Sequence, residues 1–156
     1  MPGPVTITVT AHAPAATVWG IITDIENSPN VVRGITKVER LDGSPGFGVG
    51  YRWRETRSMF GKTATEDMTV TNVDPGRSYL TEADNHGAHY ETTMSVTPIT
   101  QDSCELTMRF AATADGFLNK TLGAVMGKLM EGSVRKMVKQ DLTDLVAAAE
   151  RAGDAG

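Results

Sequence analysis

The sequence predicts a single α+β domain in which a curved antiparallel sheet closes around a long C-terminal helix. Three observations carry this expectation. A strand-like segment opens the chain and leads into a short amphipathic stretch, six alternating segments follow from Ile35 to Thr113, and a helical pattern then runs for about thirty-five residues after Asp115-Gly116. The chain has 156 residues, enough to bury one core and too few for two. Residues 1–152 are expected to form the domain and 153–156 a disordered tail.

The elements follow in order. Val5-Thr6-Ile7-Thr8-Val9-Thr10-Ala11 alternates apolar residues with threonine, the period of a strand with one buried face. Pro14 opens the stretch to Asp24, where Val18, Ile21 and Ile22 are spaced for one helical face. Asn27-Ser28-Pro29-Asn30 breaks that helix and restarts a second short one. Clusters of Gly, Pro, Asn and Asp at 42–46, 60–61, 74–76, 84–87 and 101–102 then divide the next stretch into six strands. With no helix-length segment between them, these strands must pair antiparallel, because parallel neighbours need crossovers of about a dozen residues or more. After Gly116, Leu118, Leu122, Val125 and Leu129, then Val134, Met137, Val138, Leu142 and Leu145, recur at three- and four-residue steps. Gly123 and Gly127 fall inside this helix, where a missing side chain leaves room either for close packing or for a ligand.

Composition excludes several classes of function. Fifteen basic against 19 acidic residues, a net charge of −4, give no electrostatic reason to expect nucleic acid as a partner. Cys104 is the only cysteine, which rules out an intramolecular disulfide and thiol-based zinc motifs and suits a reducing compartment. No apolar run approaches the ~20 residues of a membrane span, and the N-terminus lacks the basic and apolar regions of a leader, so a cytoplasmic location is expected. No Gly-x-Ser-x-Gly elbow and no phosphate-cradling glycine loop before a helix occur, so no cofactor is expected. His86 and His89 flank Gly87, but no set of ligands at recognisable spacing accompanies them, so no metal is assigned. His12 falls on the outward parity of the first strand.

The element order and several local motifs resemble the START-like (SRPBCC) superfamily of polyketide cyclases, dehydrases, aromatases and lipid-transport proteins. Ala13-Pro14-Ala15-Ala16-Thr17-Val18-Trp19 leading to Asp24 resembles that family's opening motif, and Val38-Glu39-Arg40-Leu41, Gly48-Val49-Gly50-Tyr51, Phe60-Gly61, Val73-Asp74-Pro75-Gly76-Arg77 and Thr97-Pro98 resemble its later landmarks. The resemblance implies a helix-grip fold, with seven strands around the long helix and two short helices after strand 1. Trp19 would plug one end of the sheet, and Gly48 and Gly50 would let a strand bend. One departure stands out: Asn30 follows Pro29 where the family commonly has Trp.

Strand parity selects the face turned toward the helix. Arg52 and Arg54 belong outside, which turns Tyr51, Trp53, Glu55, Arg57 and Met59 inward. The same rule selects Glu66, Met68 and Val70, then Tyr79, Thr81 and Ala83, then Tyr90, Thr92, Met94 and Val96, then Leu106, Met108 and Phe110. With Leu122 and Met126 from the helix, this is a largely apolar and aromatic lining, the usual make-up of a small-molecule pocket. Expected ligand contacts are Tyr51, Trp53, Met59, Met68, Tyr79, Tyr90, Thr92, Met94, Met108, Phe110, Leu122 and Met126.

Glu55, Arg57 and Glu66 are the polar exceptions on that face. An unpaired charge there costs several kcal/mol, so either these residues reach solvent or pair with one another, or they serve a ligand. In the second case Arg57 anchors an oxyanion, and Glu55, Glu66 or a tyrosine (Tyr51, Tyr79, Tyr90) transfers protons. The resemblance then implies a cofactor-free cyclase or dehydratase acting on a hydrophobic aromatic, polyketide-like or lipid molecule. A carrier or sensor without chemistry and a protein-interaction module are the rival readings, the last favoured by an exposed apolar patch around Val31-Val32. A monomer or homodimer is expected.

Overall fold

In the computed structural model, residues 4–59, 61–85, 87–114 and 117–155 are described, those at 59, 85, 114, 117–131 and 154–155 by backbone alone. Strand β1 (Val5–Ala11) leads to α1 (Ala15–Thr23), a 3-10 turn (Ile25–Asn27) and α2 (Ser28–Val31). Six strands follow: β2 (Ile35–Arg40), β3 (Arg52–Met59), β4 (Lys62–Asp74), β5 (Ser78–Asn85), β6 (Ala88–Thr100) and β7 (Ser103–Ala114). Helix α3 (Phe117–Ala155) ends the chain. The seven strands form one antiparallel sheet in the order β1-β7-β6-β5-β4-β3-β2. The meander and its two-helix insert therefore match the sequence expectation.

Local chemistry explains the boundaries. Thr6, Thr8 and Thr10 of β1 face solvent while Val5 and Ala11 are buried, so threonine satisfies the wet face without weakening the strand. Pro14 stands at the N-cap of α1, one place before the helical turn expected for it, with extended geometry. Its carbonyl accepts from the Thr17 and Val18 amides at 3.0 and 3.1 Å. Between β4 and β5, Pro75 presets the first central position of a tight turn, and Gly76 takes the left-handed second one at φ 79°, closed by the Arg77 amide on the Asp74 carbonyl. Gly50 lies at φ 94° just before β3, so the bend expected inside a strand is instead the entry to one. Register shifts in β2, β4 and β6 each add a residue on one side of a pair, which bends and twists the sheet.

The concave face closes on α3. Val138, Leu142, Leu145, Val146 and Ala149 form its buried stripe, and Leu106 and Val70 meet it from the sheet with no exposed surface. Fully burying one such side chain stabilises the fold by about 1.5–3 kcal/mol. Asp144 pins the helix at a second point: the Arg33 amide donates to Oδ2 at 3.1 Å, and the guanidinium donates through Nε and Nη2 at 3.2 and 2.9 Å. That clamp fixes the α2–β2 connection against α3. The helix continues to Ala155, past residue 152 where a tail was expected, with residues 151–153 exposed. Gly123 and Gly127 lie in the stretch of α3 described by backbone alone. None of the described helices is long and apolar enough to cross a membrane.

Candidate functional site

Between sheet and helix lies a cavity of about 430 Å3. Alternate residues along one stretch of each of β3 to β7 line it, because inward side chains repeat at two-residue steps. Directly paired positions therefore meet across the wall: Trp53 opposite Met68, Glu55 opposite Glu66, Thr81 opposite Thr92, and Met94 opposite Met108. Tyr90 and Phe110 stack at 5.7 Å between centroids. Helix α3 contributes Val134, Met137, Val138, Asp141 and Leu145, while Ile22, Ile25, Val32 and Ile35 close the end beside the short helices.

One polar cluster interrupts this apolar wall. Arg57 donates through Nη1 to Asp141, 2.9 Å from Oδ2 and 3.2 Å from Oδ1, and through Nε to Glu55 Oε2 at 3.4 Å. The Trp53 indole N–H donates to the other Glu55 oxygen at 3.3 Å. All three charged side chains are nearly covered, with 15% of Arg57, 11% of Glu55 and 6% of Asp141 exposed. Two carboxylates share one guanidinium, so the cluster carries an excess negative charge in low dielectric. Burial accordingly pushes the Asp141 carboxyl up to about 6 against the pull of Arg57, with Glu55 and Asp144 adding to the rise. Burial alone pulls the Arg57 guanidinium down, but Asp141 and then Glu55 more than offset it, so its pKa rises and it stays charged.

Behind this pair a second cleft of about 340 Å3 opens, lined by Gly34, Ser58, Ser133, Lys136 and Gln140 together with Arg57, Met137 and Asp141. The ion pair thus forms part of the partition between an apolar chamber and a polar one. Gly34 permits this: a Cβ there would come within 3.2 Å of Arg57 Nη1 and 3.7 Å of Asp141 Oδ1.

The other sequence-predicted residues divide by position. Trp53, Met68, Tyr79, Tyr90, Thr92, Met94, Met108 and Phe110 line the cavity, as do Glu55, Arg57 and Glu66. Tyr51 is buried but does not line it. Its ring lies under the Arg40 guanidinium at 4.0 Å, beside Phe47, and its hydroxyl bonds Glu26 Oε1 at 3.4 Å. The side chains of Met59, Leu122 and Met126 lie outside the described residues, as does His86. Tyr79 donates to the Ile22 carbonyl at 3.0 Å, and burial pushes its pKa far up, so its proton is held for structure. Burial and then the neighbouring Glu66 also push Tyr90 up.

Trp19, expected as an apolar plug at one end of the sheet, packs edge-on against Phe47 and Tyr79. Of the two valines whose exposure would favour an interaction module, Val32 is buried and lines the cavity, and Val31 is half-buried. Burial pushes the Cys104 thiol up, away from nucleophilic use. The sequence reading missed Asp141 and Gly34. Asp141 stood in plain view as an acidic residue four after Met137, three after Val138 and four before Leu145, on the apolar stripe itself.

The fold defines a shell for a small molecule, closed by sheet on one side and helix on the other. Residues 3–150 match the family described as polyketide cyclase / dehydrase and lipid transport, and the chain belongs to that family. Among solved structures it is similar to the ZhuI aromatase/cyclase from Streptomyces sp. R1128, with 21% identity over 95% of this chain and 93% of that one and a TM-score of 0.73. A START superfamily protein from Mycobacterium smegmatis is similar at 18% identity, over 99% of both chains, with a TM-score of 0.70. The di-domain ARO/CYC StfQ from the steffimycin biosynthetic pathway is similar at 14% identity and a TM-score of 0.78, over 96% of this chain and 52% of that one. At these identities the structural likeness speaks for the fold. No curated protein sequence matches the chain.

Proposed function

We propose that the cavity binds a hydrophobic, aromatic or polyketide-like molecule and that the Arg57–Asp141 pair promotes its aldol cyclisation and dehydration. The observation that carries this reading is a carboxyl group held near neutrality against a fixed guanidinium in the wall of an apolar chamber. Ionised Asp141 takes a proton from a methylene between two carbonyls, and the resulting enolate carbon attacks a ketone further along the same chain. Arg57 stabilises the negative oxygen that develops at each stage. The Asp141 carboxylic acid returns its proton to the new alkoxide, giving a hydroxyl. Asp141 then takes a second proton from the same carbon and delivers it to the hydroxyl, which departs as water as the double bond forms. A pKa of about 6 suits a group that must both take and give a proton near neutral pH. The cavity walls fold the substrate so that the reacting carbons meet. No cofactor enters this scheme.

The experiment is cyclisation of a linear poly-β-ketone thioester, followed by absorbance of the aromatic product. Wild-type protein should form product, and Asp141→Asn should slow it by about 10²-fold or more while binding of a planar phenol, read by tryptophan fluorescence, persists. Binding without turnover in the wild type would instead favour the carrier or sensor reading.

A further inference from the structure

On the opposite face of the sheet, β5 and β6 bring together a group that the cavity does not use. Glu82 pairs directly with Glu91 and Asp84 with His89, so all four side chains leave the same outer face. His89 Nδ1 lies 2.7 Å from Asp84 Oδ1, while Nε2 lies 3.0 Å from Glu82 Oε1 and 3.6 Å from Glu91 Oε1. Thr71, the extra residue at the β4 register shift, hydrogen-bonds Glu82 and holds that carboxylate in place.

We propose that Glu82, His89 and Glu91 form a binding site for a divalent transition-metal ion such as Zn2+, with Asp84 orienting the imidazole. One nitrogen and two carboxylate oxygens are a donor set suited to zinc, and the three ligand atoms lie within 4.8 Å of one another. Around a tetrahedral zinc with bonds of about 2.0–2.1 Å, neighbouring ligand atoms stand roughly 3.3 Å apart. The two distances from Nε2 bracket that value, so an ion fits with small side-chain adjustments. With an ion bound, Asp84 would accept the Nδ1 proton, which frees the Nε2 lone pair for the metal. This is the carboxylate–histidine arrangement that fixes the tautomer of a metal ligand. Two carboxylates and a neutral imidazole leave a fourth position open for water or an external ligand. The site is independent of the cavity, since its side chains point away from it.

The test uses the full chain and ZnCl2 alone, titrated at mildly alkaline pH so that protons do not compete for the imidazole. Calorimetry should show one ion bound per chain, and excess Zn2+ should raise the melting temperature by roughly 3–6 °C. His89→Gln and the double variant Glu82→Gln/Glu91→Gln should each weaken binding at least tenfold, and Asp84→Asn should weaken it about tenfold while keeping the stoichiometry. His12→Gln, whose ring belongs to another part of the surface, should bind as wild type does. All three ligand positions are on the outer face, and circular dichroism checks that each variant is folded. Co2+ provides a second readout, its visible absorption reporting imidazole coordination that His89→Gln removes. Absence of saturable binding, or equal binding by folded His89→Gln, would overturn the proposal.

Discussion

The two faces of β3 carry the same residue types to opposite ends. On the outer face Arg54 pairs with Asp67 through Nε at 2.7 Å, and 46% and 33% of the two side chains remain exposed. On the inner face Arg57 pairs with Glu55 and Asp141, all nearly covered. The outer pair is screened by water and holds its Asp67 carboxyl below the usual range, chiefly through the Arg54 hydrogen bond. Inside, desolvation outweighs the same attraction and raises Asp141 to about 6. Two arginines of one strand thus face an inert surface carboxylate on β4 and a carboxyl of α3 poised near neutrality, and burial is the largest cause of the difference, with Glu55 and Asp144 adding to it.

Removing each cation should expose that difference. Arg57→Met leaves two carboxylates in low dielectric and should destabilise the fold by about 3–5 kcal/mol in urea denaturation. Replacing the whole inner group, as Glu55→Gln/Arg57→Met/Asp141→Asn, should recover most of that loss, because all three charges of the buried cluster are removed together. The triple variant should still be inactive.

The second largest effect is a pH dependence. Asp141 holds its proton more tightly when folded than its ordinary 3.8, so the folded state binds more protons between that value and about 6. Its contribution to stability is full below the lower value and is lost as pH rises through the upper one, amounting to about 3 kcal/mol. Thermal melts from acid to neutral pH should show this loss in the wild type, and Asp141→Asn should lack it. The Arg54–Asp67 pair behaves oppositely in sign, with its small stabilisation lost as pH falls.

Smaller effects refine the contrast. Gly34→Ala crowds Arg57 Nη1 and should cost about 0.5–1.5 kcal/mol as the guanidinium leaves its preferred rotamer, with turnover falling more than substrate affinity. Arg54→Met, which removes a solvent-screened pair, should leave the melting temperature close to that of the wild type and turnover unaltered.

The same contrast explains what the sequence made legible. The register shifts of β4 and β6 fall beyond the stretches that line the cavity, so parity alone turned Trp53, Glu55, Arg57, Glu66, Met68 and Tyr90 to it. Parity does not say how far along the sheet the cavity extends, which is why Tyr51 was expected in it. Phe47 and Arg40 occupy the space around that ring instead. Asp141 was missed because it follows Lys139 and Gln140 in a polar run, although its place on the stripe sets it apart from those two exposed neighbours. The His89 group was invisible for a different reason. Its ligands meet across a hairpin, so their register, and not their spacing along the chain, brings them together.

The central claim is that a carboxyl group beside Arg57 titrates near neutrality. Carbon-13 NMR of aspartate-labelled protein, with the Asp141 signal assigned by its loss in Asp141→Asn, measures this directly. The account predicts a titration midpoint near 6. A midpoint at or below about 4, the ordinary range of an aspartate, would contradict it.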